Sequence, residues 1–203
     1  MLNKKPGILI DVDKCMGCHA CVVACRQESL ISSTHPQKGA VEVLHVGPWG
    51  IFPDLNQYFL PTQCNHCEDP ACVEICPTHA SFQMEDGIVL IDHMKCSLCL
   101  QCISVCPYGA RHFNEQTNRI EKCTFCVHRL KDGQGPACVS ICPAKARIFG
   151  NLDDPHSEIS RQIEDKGFSV FCLLKPDGAF NRSNIFYVSV EEGRQRIPLI
   201  QKG

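Results

Sequence analysis

Four cysteine runs and the strands that lead into them predict an α+β fold of short strands and short helices, organised as paired small modules. Of 17 cysteines in 203 residues, all but Cys172 fall into four quartets. These are Cys15, Cys18, Cys21 and Cys25; Cys64, Cys67, Cys72 and Cys76; Cys96, Cys99, Cys102 and Cys106; and Cys123, Cys126, Cys138 and Cys142. The first and third share C-x2-C-x2-C-x3-C. The second widens the middle gap to four residues and the fourth to eleven. The sequence repeats itself around the last two cysteines of each run: "ACVVACRQES", "ACVEICPTHA", "QCISVCPYGA" and "ACVSICPAKA". "LIDVDKC" (9–15) and "LIDHMKC" (90–96) match at five offsets, each reading as a strand that enters a quartet.

Taken in order, an apolar residue after the third cysteine and another before the fourth predict a short helical turn in every run. Residues 30–63 are too long for a turn and hold the only tryptophan, so they read as a strand-and-loop excursion. That excursion either meets a partner or packs as a hairpin on its own module. "DPHSEISRQIEDKG" (154–167) reads as a helix with Asp154 as N-cap and Pro155 at its first position. "FSVFCLLK" and "NIFYVSV" read as strands, and Cys172 in the former as a buried thiol.

Cysteine inflates the 44% hydrophobic content, so the ordinary core is thin and the chain needs staples or metal centres. No run nears the ~18 apolar residues of a membrane helix, and the first residues carry no apolar region of secretory length. A chain without its own export address makes a disulfide framework a poor reading. The net charge of −2 speaks against nucleic acid as a partner. No nucleophile–base pair, phosphate loop or carboxylate dyad is present, so the sequence offers no catalytic site of its own.

Cys18–His19 completes C-x-x-C-H, the signature of attached haem, but the other quartets continue with Glu68, Leu100 and Val127. Zinc accounts for paired C-x2-C units, yet not for a third cysteine three residues on, nor for proline after the fourth. Such runs are those of a bacterial ferredoxin, whose first three cysteines hold one iron–sulfur cluster and whose fourth reaches the neighbouring one. Proline follows Cys76, Cys106 and Cys142, while Arg26 follows Cys25. Proline stiffens that exit but donates nothing to iron, so Arg26 costs no ligand. Arg26 either offsets cluster charge or stands exposed on a helix.

The reading is therefore two 2[4Fe–4S] ferredoxin modules, each with one compact and one expanded half. A cluster with its four thiolates carries about −2, so four would take the loaded protein from −2 to about −10. Lys14, Lys95 and Lys122, each just before a run, are candidates to offset that charge. His66, His79, His112 and His128 read as solvated loop histidines, with hydrogen bonding to a cluster as the alternative. Spacing alone permits the first run to pair with the second and the third with the fourth, or a nested order.

With "PTQCNHCEDPACVEICPTHA", "EDGIVLID", "CPYGAR", "KCTFCVHRL", "GPACVSICP" and "NLDDP", the sequence resembles the iron–sulfur subunits of the dimethyl-sulfoxide-reductase family of molybdoenzymes. It looks most like those of polysulfide, thiosulfate, tetrathionate and arsenate reductases. In that family the first run also commonly lacks the proline. The resemblance implies four [4Fe–4S] clusters carrying electrons between a large molybdenum–bis(pyranopterin) catalytic subunit and a membrane anchor that exchanges electrons with quinone. It implies nested ligation: Cys15, Cys18, Cys21 and Cys142; Cys123, Cys126, Cys138 and Cys25; Cys64, Cys67, Cys72 and Cys106; Cys96, Cys99, Cys102 and Cys76. On that order an outer module takes residues 1–30 and 120–150, and an interleaved inner module takes 31–119. A C-terminal extension, 151–203, would wrap the catalytic subunit. The complex would lie peripheral to the cytoplasmic membrane, on the cytoplasmic face or, by co-export with a partner, on the periplasmic one. The other class of function is a freestanding polyferredoxin between soluble enzymes, which would need neither the excursion nor the extension.

Overall fold

The structure, a computed structural model, describes residues 5–29, 39–167, 170–173 and 182–189. Within them, small sheets and mostly short helices alternate along the chain. Strand β1 (Pro6–Asp11) leads into helix α1 (Ala20–Glu28). The long hairpin β2 (Val41–Ile51) and β3 (Asp54–Gln63) follows, and α2 (Ala71–Glu74) lies in the second quartet. Hairpin β4 (Ser81–Gln83) and β5 (Val89–Ile91) leads to α3 (Gln101–Ser104). Hairpin β6 (His112–Asn114) and β7 (Arg119–Glu121) leads to α4 (Val127–Lys131) and α5 (Ala137–Ser140). The described elements close with β8 (Arg147–Asn151), α6 (Glu158–Lys166), β9 (Val170–Phe171) and β10 (Ile185–Val188).

Both repeated segments, 9–15 and 90–96, enter their quartets from a strand. Each turns on its aspartate, Asp11 accepting from the Lys14 amide at 3.2 Å and Asp92 from the Met94 amide at 2.9 Å.

The central sheet has the order β8-β1-β10-β9. β1 runs antiparallel to β8, with Ile8 opposite Phe149, and parallel to β10, with Ile8 opposite Ile185. Every residue of β1 is buried, and the alternation of a strand divides its side chains between two faces. Leu9 and Val188 face α6, where they pack with Ile159. Ile8, Ile10, Ile185 and Tyr187 face the other way, into a core shared with Cys21, Cys25, Cys64, Cys123 and Cys138. The main core is thus partly made of the cysteine loops themselves.

Helix α6 starts later than the sequence reading placed it. Asp154 accepts from the His156 amide in a tight turn, whereas the Ser157 hydroxyl accepts from the Ser160 amide at 3.3 Å and is the N-cap. The described part of residues 151–203 packs into the fold. Glu68 donates its amide to the Arg182 carbonyl at 2.9 Å, Asn184 donates to Asn65 at 3.0 Å, and Ile8 donates to Asn184 at 2.9 Å. Residues 182–185 therefore tie the second quartet to β1. The Tyr187 hydroxyl, fully buried, donates to the Pro61 carbonyl at 3.0 Å.

The hairpin of the 30–63 excursion packs its base on the first quartet: a Cβ at Gly17 would meet the Phe59 ring at 2.5 Å. Its tip points outward and carries exposed Ile51, Phe52 and Leu55. Residues 30–38 lie outside the described residues. Among the described residues no helix is long and apolar enough to cross a membrane.

Because Leu9 packs on α6 and away from the cysteine loops, Leu9→Ala should lower stability by about 2–5 kcal/mol without changing metal content. Anaerobic thermal melts paired with iron analysis would check this.

Candidate metal centres

Each C-x-x-C loop turns its backbone through the left-handed region at the residue before its second cysteine: Gly17 (φ 68°), His66 (45°), Leu98 (58°) and Phe125 (56°). Three of these are not glycine, so the turn is imposed by the loop rather than by a permissive residue. A second left-handed residue follows three positions after the fourth cysteine in the runs ending in proline: His79, Gly109 and Lys145. There the helix lasts one turn, because the residue before a proline is driven out of the helical region. The first run lacks that proline, and α1 runs on to Glu28. The extra turn has a use: Glu28 pairs with Arg129 at 2.6 Å and His128 at 2.8 Å, joining α1 to α4 of the fourth run.

Elements of the first run touch those of the fourth, and elements of the second touch those of the third. β1 before the first run pairs with β8 after the fourth, and α1 packs on α5. α2 of the second run packs on α3 of the third. Cys64, Cys67, Cys72 and Cys106 line one cavity of about 250 Å³. Cys15, Cys18, Cys21 and Cys142 line a smaller one of about 20 Å³. Cys25 and Cys123 are electrostatic neighbours, and Cys138 neighbours both; Cys126 neighbours Cys25 and Cys138. In the remaining set Cys76 is half-buried and accepts from the Ser81 amide at 3.4 Å, Cys96 and Cys102 are half-buried, and Cys99 is exposed.

The donor set suits a polynuclear iron centre. Four thiols around a cavity are the donor set of an iron–sulfur cluster. Burial, with the neighbouring thiols, pushes Cys25 and Cys67 up to about 12. Thiols so placed stay protonated unless a metal takes the proton's place, which couples metal uptake to this fold. Cys172, outside the runs, is a buried thiol pushed up to about 11 by burial alone.

Basic side chains sit differently from the sequence reading. Lys14 and Lys95 are largely exposed and pair with Asp11 and Asp92. Lys122 is buried, and its Nζ donates to the carbonyls of Val89 and Cys123. Two residues escaped the sequence reading, Arg111 and Arg147, both buried and both five positions after a fourth cysteine. Arg111 donates to Cys72 Sγ at 2.9 Å and to the Ser81 hydroxyl at 2.7 Å. Arg147 donates to Gln63 at 2.7 Å and to Cys138 Sγ at 3.6 Å. Burial works against both charges, but the negative charge of the surrounding cysteines, once deprotonated, outweighs it and raises both guanidinium pKa values. The shared "CP-x-x-A-R" of "CPYGAR" and "CPAKAR", with Gly109 or Lys145 at the turn, was the available signal.

Of the four histidines, His79 and His128 are exposed, and His112 is half-buried beside Glu121 at 3.6 Å. His66 is not a solvated loop residue. It is fully buried, lies tilted against Phe125 with ring centroids 4.2 Å apart, and accepts the Val89 amide at 3.0 Å through Nδ1. Burial, with Lys122 and Arg111 nearby, holds it well below its usual pKa, and so neutral. His66 and Phe125 occupy the same place in the second and fourth C-x-x-C loops, so the two loops meet through them.

Cysteine loops of this kind on small mixed sheets define a ferredoxin-type protein. Residues 55–152 match a family model described as a 4Fe-4S dicluster domain, and residues 6–27 match a 4Fe-4S binding domain. A tetrathionate reductase subunit of Salmonella typhimurium is 39% identical over 92% of this chain and 73% of its own length. A polysulfide reductase chain of Wolinella succinogenes is 40% identical over 81% of this chain and 86% of its own. The iron-sulfur subunit of arsenate respiratory reductase from Shewanella sp. (strain ANA-3) is 33% identical over 90% and 95%. The protein belongs to the family of electron-transfer iron–sulfur subunits of molybdoenzyme reductases.

Installing the proline of the other runs tests the role of the long α1. Arg26→Pro should keep full iron but cost up to about 3 kcal/mol, since it ends the helix before Glu28. Iron analysis beside a thermal melt reads both effects.

Proposed function

We propose that this chain holds four [4Fe–4S] clusters and conducts electrons between a molybdenum–bis(pyranopterin) catalytic subunit and a membrane quinone-reactive subunit. The observation that carries the reading is the meeting of four cysteines from two distant runs, Cys64, Cys67 and Cys72 with Cys106, around one cavity. The proposed ligand sets are nested. Cys15, Cys18, Cys21 and Cys142 form one, and Cys123, Cys126, Cys138 and Cys25 its neighbour. Cys64, Cys67, Cys72 and Cys106 form the third, and Cys96, Cys99, Cys102 and Cys76 the fourth. The packing of α1 on α5 and of α2 on α3 supports that order over sequential pairing. It also supports an outer module of residues 1–30 with 120–150 and an inner one of 31–119.

A bound cluster supplies one-electron chemistry; the chain's own residues hold it, exclude water and space it from the next. The contact of His66 with Phe125 supports a linear order in which the Cys123 set lies beside the Cys64 set. The ends of such a line are useful only against redox partners. The exposed apolar tip of the β2–β3 hairpin, with Ile51 85% and Phe52 84% exposed, is a surface suited to docking one of them. Such a complex would sit peripheral to a membrane.

Anaerobically purified protein should contain about sixteen irons and equal acid-labile sulfide, four of each per cluster. Zinc without sulfide would sink the reading, and chelation of iron should unfold the protein. Cys142→Ser should alter the spectrum of the Cys15 cluster and spare the Cys123 one. Pull-down of the tagged native protein should bring a large molybdenum subunit with it. Recovery as a molybdenum-free monomer would instead favour a free ferredoxin.

A further inference from the structure

Three basic side chains, other than histidine, are buried among the described residues: Arg111, Lys122 and Arg147. Their neighbours are not random. Arg147 is flanked by Cys21 and by Cys138, which belong to the two ligand sets of the proposed outer module. Arg111 donates to Cys72 and lies near Cys102, from the two sets of the inner module. Lys122 donates to the Cys123 carbonyl and is an electrostatic neighbour of Cys64, where the modules meet. In a line of four clusters there are three intervals. We infer that the chain places one buried cation in each interval, and that these three charges hold up the reduction potentials of the clusters on either side.

The inference rests on the four-cluster reading and goes beyond it. Adding an electron to a cluster adds negative charge in a low-dielectric interior, and a nearby fixed cation favours that step. Guanidinium does so permanently, and it also offers hydrogen bonds to sulfur. Each arginine keeps a donor in reserve: Nη1 of Arg111 and Nη2 of Arg147 are buried with no hydrogen-bond acceptor among the described residues. Such donors are costly unless an acceptor meets them, as the sulfur of a bound cluster would. By lying between clusters, each cation stabilises the electron on both sides of its interval, so that neither cluster becomes a trap relative to the other.

Spectroscopic redox titration of the purified, cluster-loaded protein tests this, with Arg111→Gln and Arg147→Gln measured against wild type. Each variant should lower the midpoints of two clusters, a different pair in each case. The expected fall is at least tenfold in the reduced-to-oxidised ratio at the wild-type midpoint, or about 59 mV for one electron. Arg111→Lys, which keeps the charge with fewer donors, should stay near wild type. Unchanged midpoints in both glutamine variants at full iron content would overturn the inference and leave the four-cluster reading standing. An equal fall in Arg111→Lys and Arg111→Gln would also overturn it, since charge would then not be the cause. Should a glutamine variant lose iron, the lysine variant and the other arginine decide the matter. Wild-type protein without sixteen irons would defeat the four-cluster reading itself.

Discussion

In every run the backbone that links the first two cysteines is held in a left-handed turn. Glycine takes that turn freely at position 17, but His66, Leu98 and Phe125 take it against their own preference, at roughly 1–3 kcal/mol each. The helices inside the runs are mostly one turn long and the hairpins beside them three residues a side, and elements so short are not stable alone. The loops, the helices and the core between them therefore form together with whatever binds the thiols.

The remaining architecture serves to aim these loops at one another. A strand before the first run and a strand after the fourth lie side by side, and the inner runs are folded back on each other between them. Where the second and fourth loops touch, a neutral histidine lies tilted against a phenylalanine, with the buried Lys122 and Arg111 charges nearby. The exterior of the central sheet has its own apolar layer, α6 against Leu9 and Val188, which is independent of sulfur.

Part of this was legible in the sequence. Cysteine spacing marked the four runs but left their pairing open, the matched strands before Cys15 and Cys96 marked the repeat, and the length of 30–63 marked an inserted excursion whose residues 41–63 form a hairpin. Contacts that span the chain left no local trace. The parallel pairing of β1 with β10, and the reach of Asn184 to Asn65, depend on long-range packing that no short pattern encodes. Asp154 carried a capping signal because Pro155 follows it, yet Ser157 won because its hydroxyl meets the Ser160 amide. Lys14, Lys95 and Lys122 look alike in sequence. Only Lys122 is buried, because β7 carries it inward while the other two leave their strands through an aspartate turn. Arg111 and Arg147 stood in plain repeat, but only burial against sulfur shows their charge to be internal.

The segment from Arg182 to Val188 has a consequence in time. It supplies the strand beside β1 and holds the loop of the second run, so the sheet cannot close until synthesis has reached at least that far. A nascent chain on the ribosome exposes its thiols for the whole of that interval, with the first run waiting for the fourth. Closure over so long a separation is slow and leaves the unfinished protein open to oxidation and aggregation. Closing the sheet therefore comes after synthesis of this segment, and the sulfur loops take their final places only when the strand from Ile185 to Val188 docks on β1.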